Sequence, residues 1–181
     1  MSLNFFKHWL AAPMTVGSVM PSSRYLADAV ADGVEGFDAI IEVGAGTGSI
    51  TKSLIQRHPS ATLMLFELGD RLAVELSRKF PHAHVVSGSF HENVSLLQNL
   101  PAKTVIVSGL PMQSLSPHIK APTIARFAEL LLANKARRLV QFTYLPKIPF
   151  TAPPGLCWRR IKTVWRNVPP ANIWQLAAKS E

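Results

Sequence analysis

Short apolar runs alternate with amphipathic stretches along most of the chain. Residues 37–43, 62–67, 84–87, 103–108 and 137–144 are rich in Val, Ile, Leu, Phe and Thr and bounded by Gly, Pro or charged residues. That pattern predicts five strands. The second, Thr62-Leu63-Met64-Leu65-Phe66-Glu67, is nearly all apolar, as a strand covered on both faces should be. Between the runs, apolar positions recur at helical spacing. Residues 24–32 place Leu26, Ala27 and Val30 on one face, with Ser22 or Ser23 as the cap and Gly33 as the stop. Residues 49–58 and 70–80 are the next helices, the latter with Leu72, Ala73, Leu76 and Phe80 inward. Residues 93–100 read as a short helix. Residues 122–134 read as a clear one, with Pro122 in its first turn and Ile124, Phe127, Ala128 and Leu131 toward the core. After a Pro-rich loop at 147–156, residues 157–167 and 173–178 predict two more strands, an antiparallel pair at the sheet edge. The expected architecture is α/β: about seven strands, mostly parallel, in one domain without internal repeats.

The N-terminal 33 residues are expected to form a helical segment ahead of the main part at 34–181, within a single domain overall. Residues 2–11 predict a helix with Phe5, Phe6, Trp9 and Leu10 on one face and Asn4 and Lys7 on its flanks, ended by Pro13. Such a helix either lies in a membrane interface or docks on the core. A turn-rich link, residues 15–23, follows.

Composition narrows the class. The chain has 181 residues, 48% of them hydrophobic, which suits one domain with a sizeable core. Cys157 is the single cysteine, so neither an internal disulfide nor a cysteine-rich metal site is expected. Neither a leader-like apolar region nor an apolar run of 18 residues occurs. A monomer in the cytoplasm, without a metal, is expected. The net charge of +8 is unevenly spread. Residues 1–92 carry 7 Lys/Arg and 9 Asp/Glu, whereas residues 93–181 carry 12 Lys/Arg and only 2 acids, Glu129 and Glu181. A half this basic suits an anionic partner, either nucleic acid or acidic lipid; plain solubility would also account for it.

The candidate chemistry starts where the first strand ends. Ile40-Ile41-Glu42-Val43 runs into Gly44-Ala45-Gly46-Thr47-Gly48, and Ser49 opens a helix. Glycines there let the backbone turn and a ligand approach, and free N–H groups at a helix start face it. A nucleotide-type cofactor follows, although a structural glycine turn would share the pattern. The dinucleotide fingerprint needs a third glycine where Ser49 stands, which disfavours a nicotinamide cofactor. Glu42, two residues before the first glycine, suits a cationic ligand such as the ammonium of a methionine moiety. Glu67, about twenty residues past the glycines at the end of the second strand, stands where an acid accepts hydrogen bonds from ribose hydroxyls. The E-x-G-x-G-x-G pattern resembles the first motif of class I S-adenosylmethionine (SAM) methyltransferases.

Two further loops complete the candidate site. Gly88-Ser89-Phe90 follows the third strand; in many methyltransferases of this class an Asp at the position of Ser89 holds the adenine amino group. Ser108-Gly109-Leu110-Pro111 closes the fourth strand and should face the same crevice. In amino methyltransferases the corresponding loop often reads Asn/Asp-Pro-Pro-Tyr or Asn-Leu-Pro-Tyr, so Ser108 replaces the polar residue and Met112 the aromatic that stacks a flat base. A nucleobase amine needs that stacking; an aliphatic amine does not.

Val16 to Ser23, Glu42 to Gly48, Phe66-Glu67, Ser108 to Pro111, Gln141 to Tyr144 and Asn167 to Ala171 together resemble the small bacterial phospholipid N-methyltransferases and related ornithine-lipid methyltransferases. More distantly the chain resembles ribosomal RNA adenine dimethyltransferases. The resemblance implies a three-layer Rossmann-like class I methyltransferase sheet, SAM as cofactor, and transfer to the head-group amine of a membrane phospholipid such as phosphatidylethanolamine at an anionic membrane surface. The implied cofactor set is Glu42, Gly44, Ala45, Gly46, Thr47, Gly48, Glu67, Leu68, Ser89, Phe90 and Ser108. The implied reacting set is Ser108, Gly109, Leu110, Tyr144 and Tyr25, which position the amine and accept its proton. His118 is a weaker acceptor candidate, and Arg166 is either a lipid-phosphate ligand or a solvated arginine. The alternatives are an RNA adenine N6-methyltransferase and a non-catalytic SAM-binding module.

Overall fold

A computed structural model describes residues 23–179. The expected helix at 2–11, most of the link at 15–23 and most of the 1–33 segment lie outside them. Helix α1 (Arg24–Asp32) leads into an alternating series: β1 (Ala39–Val43), α2 (Ser49–Arg57), β2 (Thr62–Glu67), α3 (Asp70–Lys79), β3 (His84–Ser87), β4 (Thr104–Ser108), α4 (Pro117–Ala133) and β5 (Arg138–Thr143). The hairpin β6 (Leu156–Val164) and β7 (Ala171–Ala178) ends it. The seven strands form one sheet in the order β3-β2-β1-β4-β5-β7-β6. The first five are parallel, and β7 runs antiparallel to both β5 and β6. This is the architecture expected from the sequence.

Strand alternation divides the core in two. Ile40, Leu63, Leu65, Val105, Val107 and Val140 pack against α1, α2 and α3 through Leu26, Val30, Ile50, Leu54 and Leu76. Ile41, Val43, Phe66, Ile106 and Leu139 pack against α4 through Phe127, Leu130 and Leu131. The result is three layers, as period-two burial on a doubly covered sheet requires. Ser23 caps α1 as expected, its Oγ accepting from Leu26 N at 3.2 Å.

Two elements differ from expectation. Helix α4 begins five residues earlier, at Pro117, and Pro122 lies inside it. The backbone N–H groups of Ile119 and Lys120 bond Ser116 O at 3.1 and 2.9 Å, so Pro117, with its preset φ, starts the first turn. Residues 93–100 yield only a 3-10 turn, Val94–Leu97. The Asn93 side chain donates to Ser89 O at 2.8 Å instead of capping, and so short a segment cannot offset helix nucleation. Strand ends differ by a few residues elsewhere, most at the hairpin, where β6 ends at Val164 and β7 starts at Ala171.

Candidate functional site

Register brings the predicted loops to one end of the sheet. Val43 pairs with Phe66 on β2 and with Ser108 on β4, and Ser108 pairs with Gln141 on β5. The turn after β1 is fixed from both sides: Gly44 N donates to Phe66 O at 2.8 Å, and Val43 O accepts from Gly109 N at 2.9 Å. Gly44, Gly46 and Gly48 all have positive φ, at 77°, 56° and 77°. A side chain at Gly48 would meet Phe80 of the segment after α3 at 2.4 Å, so the glycine also lets α2 close on that layer.

Glu67 ties two turns together. Its Oε2 accepts from Gly46 N at 2.8 Å and its Oε1 from Gly69 N at 2.9 Å. Each carboxylate oxygen keeps a further lone pair for a ligand hydroxyl. Leu68, beside it, is more than half exposed, while Ala45 is buried and Thr47 exposed on the turn. Lys79 Nζ holds Thr47 O at 3.0 Å.

Glu42 is 1% exposed, and Thr51 of α2 donates to its Oε2 at 2.6 Å. Desolvation pushes its pKa up to about 8, with Glu67 adding to the rise and the Thr51 bonds opposing it. The carboxyl is therefore largely protonated at neutral pH, and a cationic ligand group would favour its ionised form. One consequence concerns stability. Between 4.5 and about 8 the native protein holds a proton that the unfolded chain has released, so stability falls as pH rises through that window. Glu42→Gln mimics the protonated acid and should remove this component. Thermal melts from pH 5 to 8.5 should show the variant gaining on the wild type as pH rises; parallel curves would refute the assignment.

The remaining expected residues divide. Gly109 and Leu110 lie against the glycine turn: an added Cβ at Gly109 would stand 2.7 Å from Gly44 O, and Leu110 Cδ2 would stand 2.8 Å from one at Gly44. Ser108 is fully buried, its Oγ 3.4 Å from Leu110 N, so its hydroxyl shapes the loop from within. Ser89 turns to His91, with Oγ and Nδ1 2.8 Å apart. The Phe90 ring is consumed by the core, edge-to-face on Phe66 and tilted on Phe127 at centroid distances of 5.2 Å. Met112 is likewise buried, in the same cluster. Tyr144 packs on Phe142, and burial raises its phenol pKa, which keeps the hydroxyl neutral. Tyr25 is half exposed on α1 with the Arg166 guanidinium 5.6 Å over its ring. His118 is exposed in the first turn of α4.

Gln141 stands in the stretch 141–144 that carries the resemblance but was not among the expected site residues. It is buried on β5, and its Nε2 donates to Leu110 O at 2.9 Å. Its Oε1 is buried without a hydrogen-bond partner among the described atoms. A lone amide in the run Leu139-Val140-Gln141-Phe142 was the available signal. Among the described residues no group of three His, Cys, Asp or Glu could hold a metal ion, and no helix is long and apolar enough to cross a membrane. A cleft of about 380 Å³ beside the turn is lined by Arg24, Asp28, Gly48, Ser49, Lys52 and Lys79 among others. It touches the glycine turn at Gly48 but is bordered by neither Glu67 nor Ser108.

No family model matches the chain. It is 32% identical over 118 residues to an ornithine lipid N-methyltransferase of Singulisphaera acidiphila, covering 61% of this chain and 59% of that one. It is 27% identical over 117 residues to a ribosomal RNA small subunit methyltransferase of Arabidopsis thaliana, covering 61% and 29%. The chain thus spans less than two thirds of the length of either relative. Among solved structures, a TehB-like SAM-dependent methyltransferase from Corynebacterium glutamicum superposes with a TM-score of 0.57 at 17% identity, covering 97% of both chains. Human N-acetylserotonin methyltransferase in complex with SAM superposes with a TM-score of 0.62 at 9% identity, covering 87% of this chain and 52% of that one. With the strand order, these likenesses establish the class I methyltransferase fold.

Proposed function

We propose that this chain, built on the class I methyltransferase fold, is a SAM-dependent N-methyltransferase that acts on the head-group amine of a membrane phospholipid, with phosphatidylethanolamine as the first candidate. The observation that carries the reading is the seating of the Ser108-Gly109-Leu110 loop directly on the glycine turn, with Glu67 bonded across the turn. This arrangement supports a reading in which the Gly109 carbonyl meets the amine beside a cofactor held by the glycine turn.

SAM, when bound, supplies an electrophilic methyl group on a sulfonium. Glu67 would accept from its ribose hydroxyls, the backbone of Gly44 to Gly48 would lie along it, and Glu42 would offer a carboxyl toward its ammonium end. The residues fit that group: an acid already bonded to the Gly46 N–H of the turn, and positive-φ glycines without Cβ atoms at the point of approach. On the substrate side an alkyl ammonium, with a pKa of about 10, must lose a proton before it has a lone pair. The Gly109 carbonyl can receive one of its N–H groups, whereas the Leu110 carbonyl already accepts from Gln141 Nε2 and Met112 N, each at 2.9 Å, and so holds the loop in shape. Holding the amine in line with the transferring methyl is the main contribution such a loop can make. Tyr144, with its phenol held neutral, serves as a hydrogen-bond partner and not as a phenolate base.

A lipid amine suits the loop better than a nucleobase. Met112 fills the position of the stacking aromatic, and its side chain is packed in the core, so no flat face is offered there. One relative is named for an ornithine lipid. The basic half of the chain and the low count of acids after residue 92 suit an anionic leaflet, to which the protein would attach peripherally. Adenine N6 in RNA is the second reading, favoured by the relative named for ribosomal RNA and by the same basic charge.

Incubation with methyl-labelled SAM and vesicles of phosphatidylethanolamine and phosphatidylglycerol should yield labelled N-methylated lipid. Absence of labelled lipid, with label entering unmodified ribosomal RNA instead, would transfer the assignment to RNA. Calorimetric SAM binding without transfer to either would leave a binding module.

A further inference from the structure

The turn between β6 and β7 carries two of the most exposed large apolar side chains in the described structure: Trp165 is 77% and Val168 81% exposed. Leu145 and Ile148, on the loop after β5, are 37% and 43% exposed. Single exposed apolar residues are ordinary, but four on two adjacent loops form a patch. The loops are joined, since Asn172 Nδ2, at the start of β7, donates to Leu145 O at 3.4 Å. They also share the reacting end of the sheet. Both β5 and β6 run antiparallel to β7, so the carboxyl ends of β5 and β6 point the same way as those of β1 and β4.

The patch is held rigidly. Asn167, between Trp165 and Val168, is 3% exposed; its Nδ2 donates to Pro169 O at 2.6 Å and its Oδ1 accepts from Ser23 Oγ. Thr143 Oγ1 bonds the carbonyls of Leu145 and Lys147 at 2.7 and 3.1 Å. The buried asparagine thus anchors a turn whose apolar side chains face outward. The charge is of one sign: Arg166 and Lys147 flank the patch, and residues 130–180 contain no Asp or Glu.

We infer that this paired-loop surface, Trp165 and Val168 with Leu145 and Ile148, seats in the interfacial layer of an anionic lipid bilayer and so holds the Ser108-Gly109-Leu110 loop at head-group depth. The inference rests on the lipid-amine reading above and adds to it the face that meets the membrane. An exposed indole with branched aliphatics and cations near it matches that boundary. RNA fits less well, because Val168, Leu145 and Ile148 have no π-face for a base to stack on and gain only by leaving water.

The test compares the full chain with the double variant Trp165→Ser/Val168→Ser, chosen because both side chains are exposed. Partition onto phosphatidylglycerol–phosphatidylethanolamine vesicles is measured by sedimentation, and methyl transfer is measured on the same vesicles and on monomeric dibutanoyl phosphatidylethanolamine. Loss of the two apolar contacts should weaken partition by about tenfold to a hundredfold. Transfer to vesicle lipid should fall alongside, with transfer to the short-chain lipid, SAM affinity and melting temperature unchanged. Equal partition by the two proteins, or none by the wild type, overturns the inference, as does a variant defect confined to RNA retention or to self-association. If the variant loses partition but the wild type methylates neither lipid, the membrane face stands and the lipid-amine substrate reading fails.

Discussion

Replacing Glu67 by Ala should weaken SAM binding by about a hundredfold or more. The carboxylate accepts from Gly46 N and Gly69 N, and so fixes the relative positions of the turns after β1 and β2 before any ligand arrives. Its remaining lone pairs point to the role of ribose acceptor. Hydrogen bonds to a charged group contribute about 1.5–3 kcal/mol each, and the loss of two on the ligand accounts for a factor of that size. Gln is not a mild replacement at this position. One of its two terminal atoms is an N–H donor, which would have to face the N–H of Gly46 or Gly69, so Glu67→Gln should lose most of the same affinity. Glu67 is only partly buried on its strand end, so either variant should fold, with a melting temperature a few degrees below that of the wild type for the loss of its bonds to Gly46 N and Gly69 N. Isothermal calorimetry with SAM decides the matter: a dissociation constant within threefold of wild type for Glu67→Ala would remove Glu67 from the cofactor site.

The legible parts of this molecule were those where local sequence and tertiary context agree. The runs of β1 and β4 are buried on both faces, those of β2 and β5 largely so and that of β3 in part, and the helices between them carry apolar stripes, so strand count and the α/β alternation followed from periodicity, while the three layers came from the resemblance. The glycine turn was legible because Gly44, Gly46 and Gly48 each need a backbone that other residues avoid. Helix α4 was misjudged at its start because Pro122 reads as a first-turn residue, whereas Pro117 occupies that place and Pro122 gives up one bond inside an otherwise continuous helix. The site was less legible than the fold. Phe90 and Met112 lie next to loop glycines and prolines in sequence, but their side chains follow the core and not the crevice. Ser108 shares β4's buried pattern and is enclosed with it. Gln141 went unassigned because its partner, the Leu110 carbonyl, is 31 residues away and only the β4–β5 register brings the two together. Trp165 looks like an ordinary strand residue in the run 157–167, and Val168 stands just past it; it is the end of β6 at Val164 that turns both out.

Gly109→Ala should be the most damaging single methyl group added near the site. Gly109 follows β4 as Gly44 follows β1, and the two chains approach so closely that the new Cβ would stand 2.7 Å from Gly44 O. The neighbour is backbone at the end of a central strand, so it cannot rotate away as a side chain could. Relief requires the two loops to separate, which stretches the 2.9 Å bond from Gly109 N to Val43 O and drags Leu110 off Gly44. Overpacking of this kind costs about 2 kcal/mol, or roughly 5 °C in melting temperature for a chain of this size. The effect on transfer should be larger than the effect on stability. A shift of about 1 Å in groups that aim a nucleophile costs about a hundredfold in rate, and the Gly109 carbonyl would move by a comparable amount. Gly46→Ala is the informative contrast. No protein atom lies within 4 Å of a Cβ there, so the cost to the fold is limited to holding Ala at a φ of 56°, about 1–2 kcal/mol, and the added methyl acts otherwise on SAM affinity. The pair separates loop crowding from effects at the turn: single-turnover transfer at saturating SAM should collapse in Gly109→Ala and decline far less in Gly46→Ala. Wild-type turnover in Gly109→Ala would mean that the β4 loop does not aim the amine.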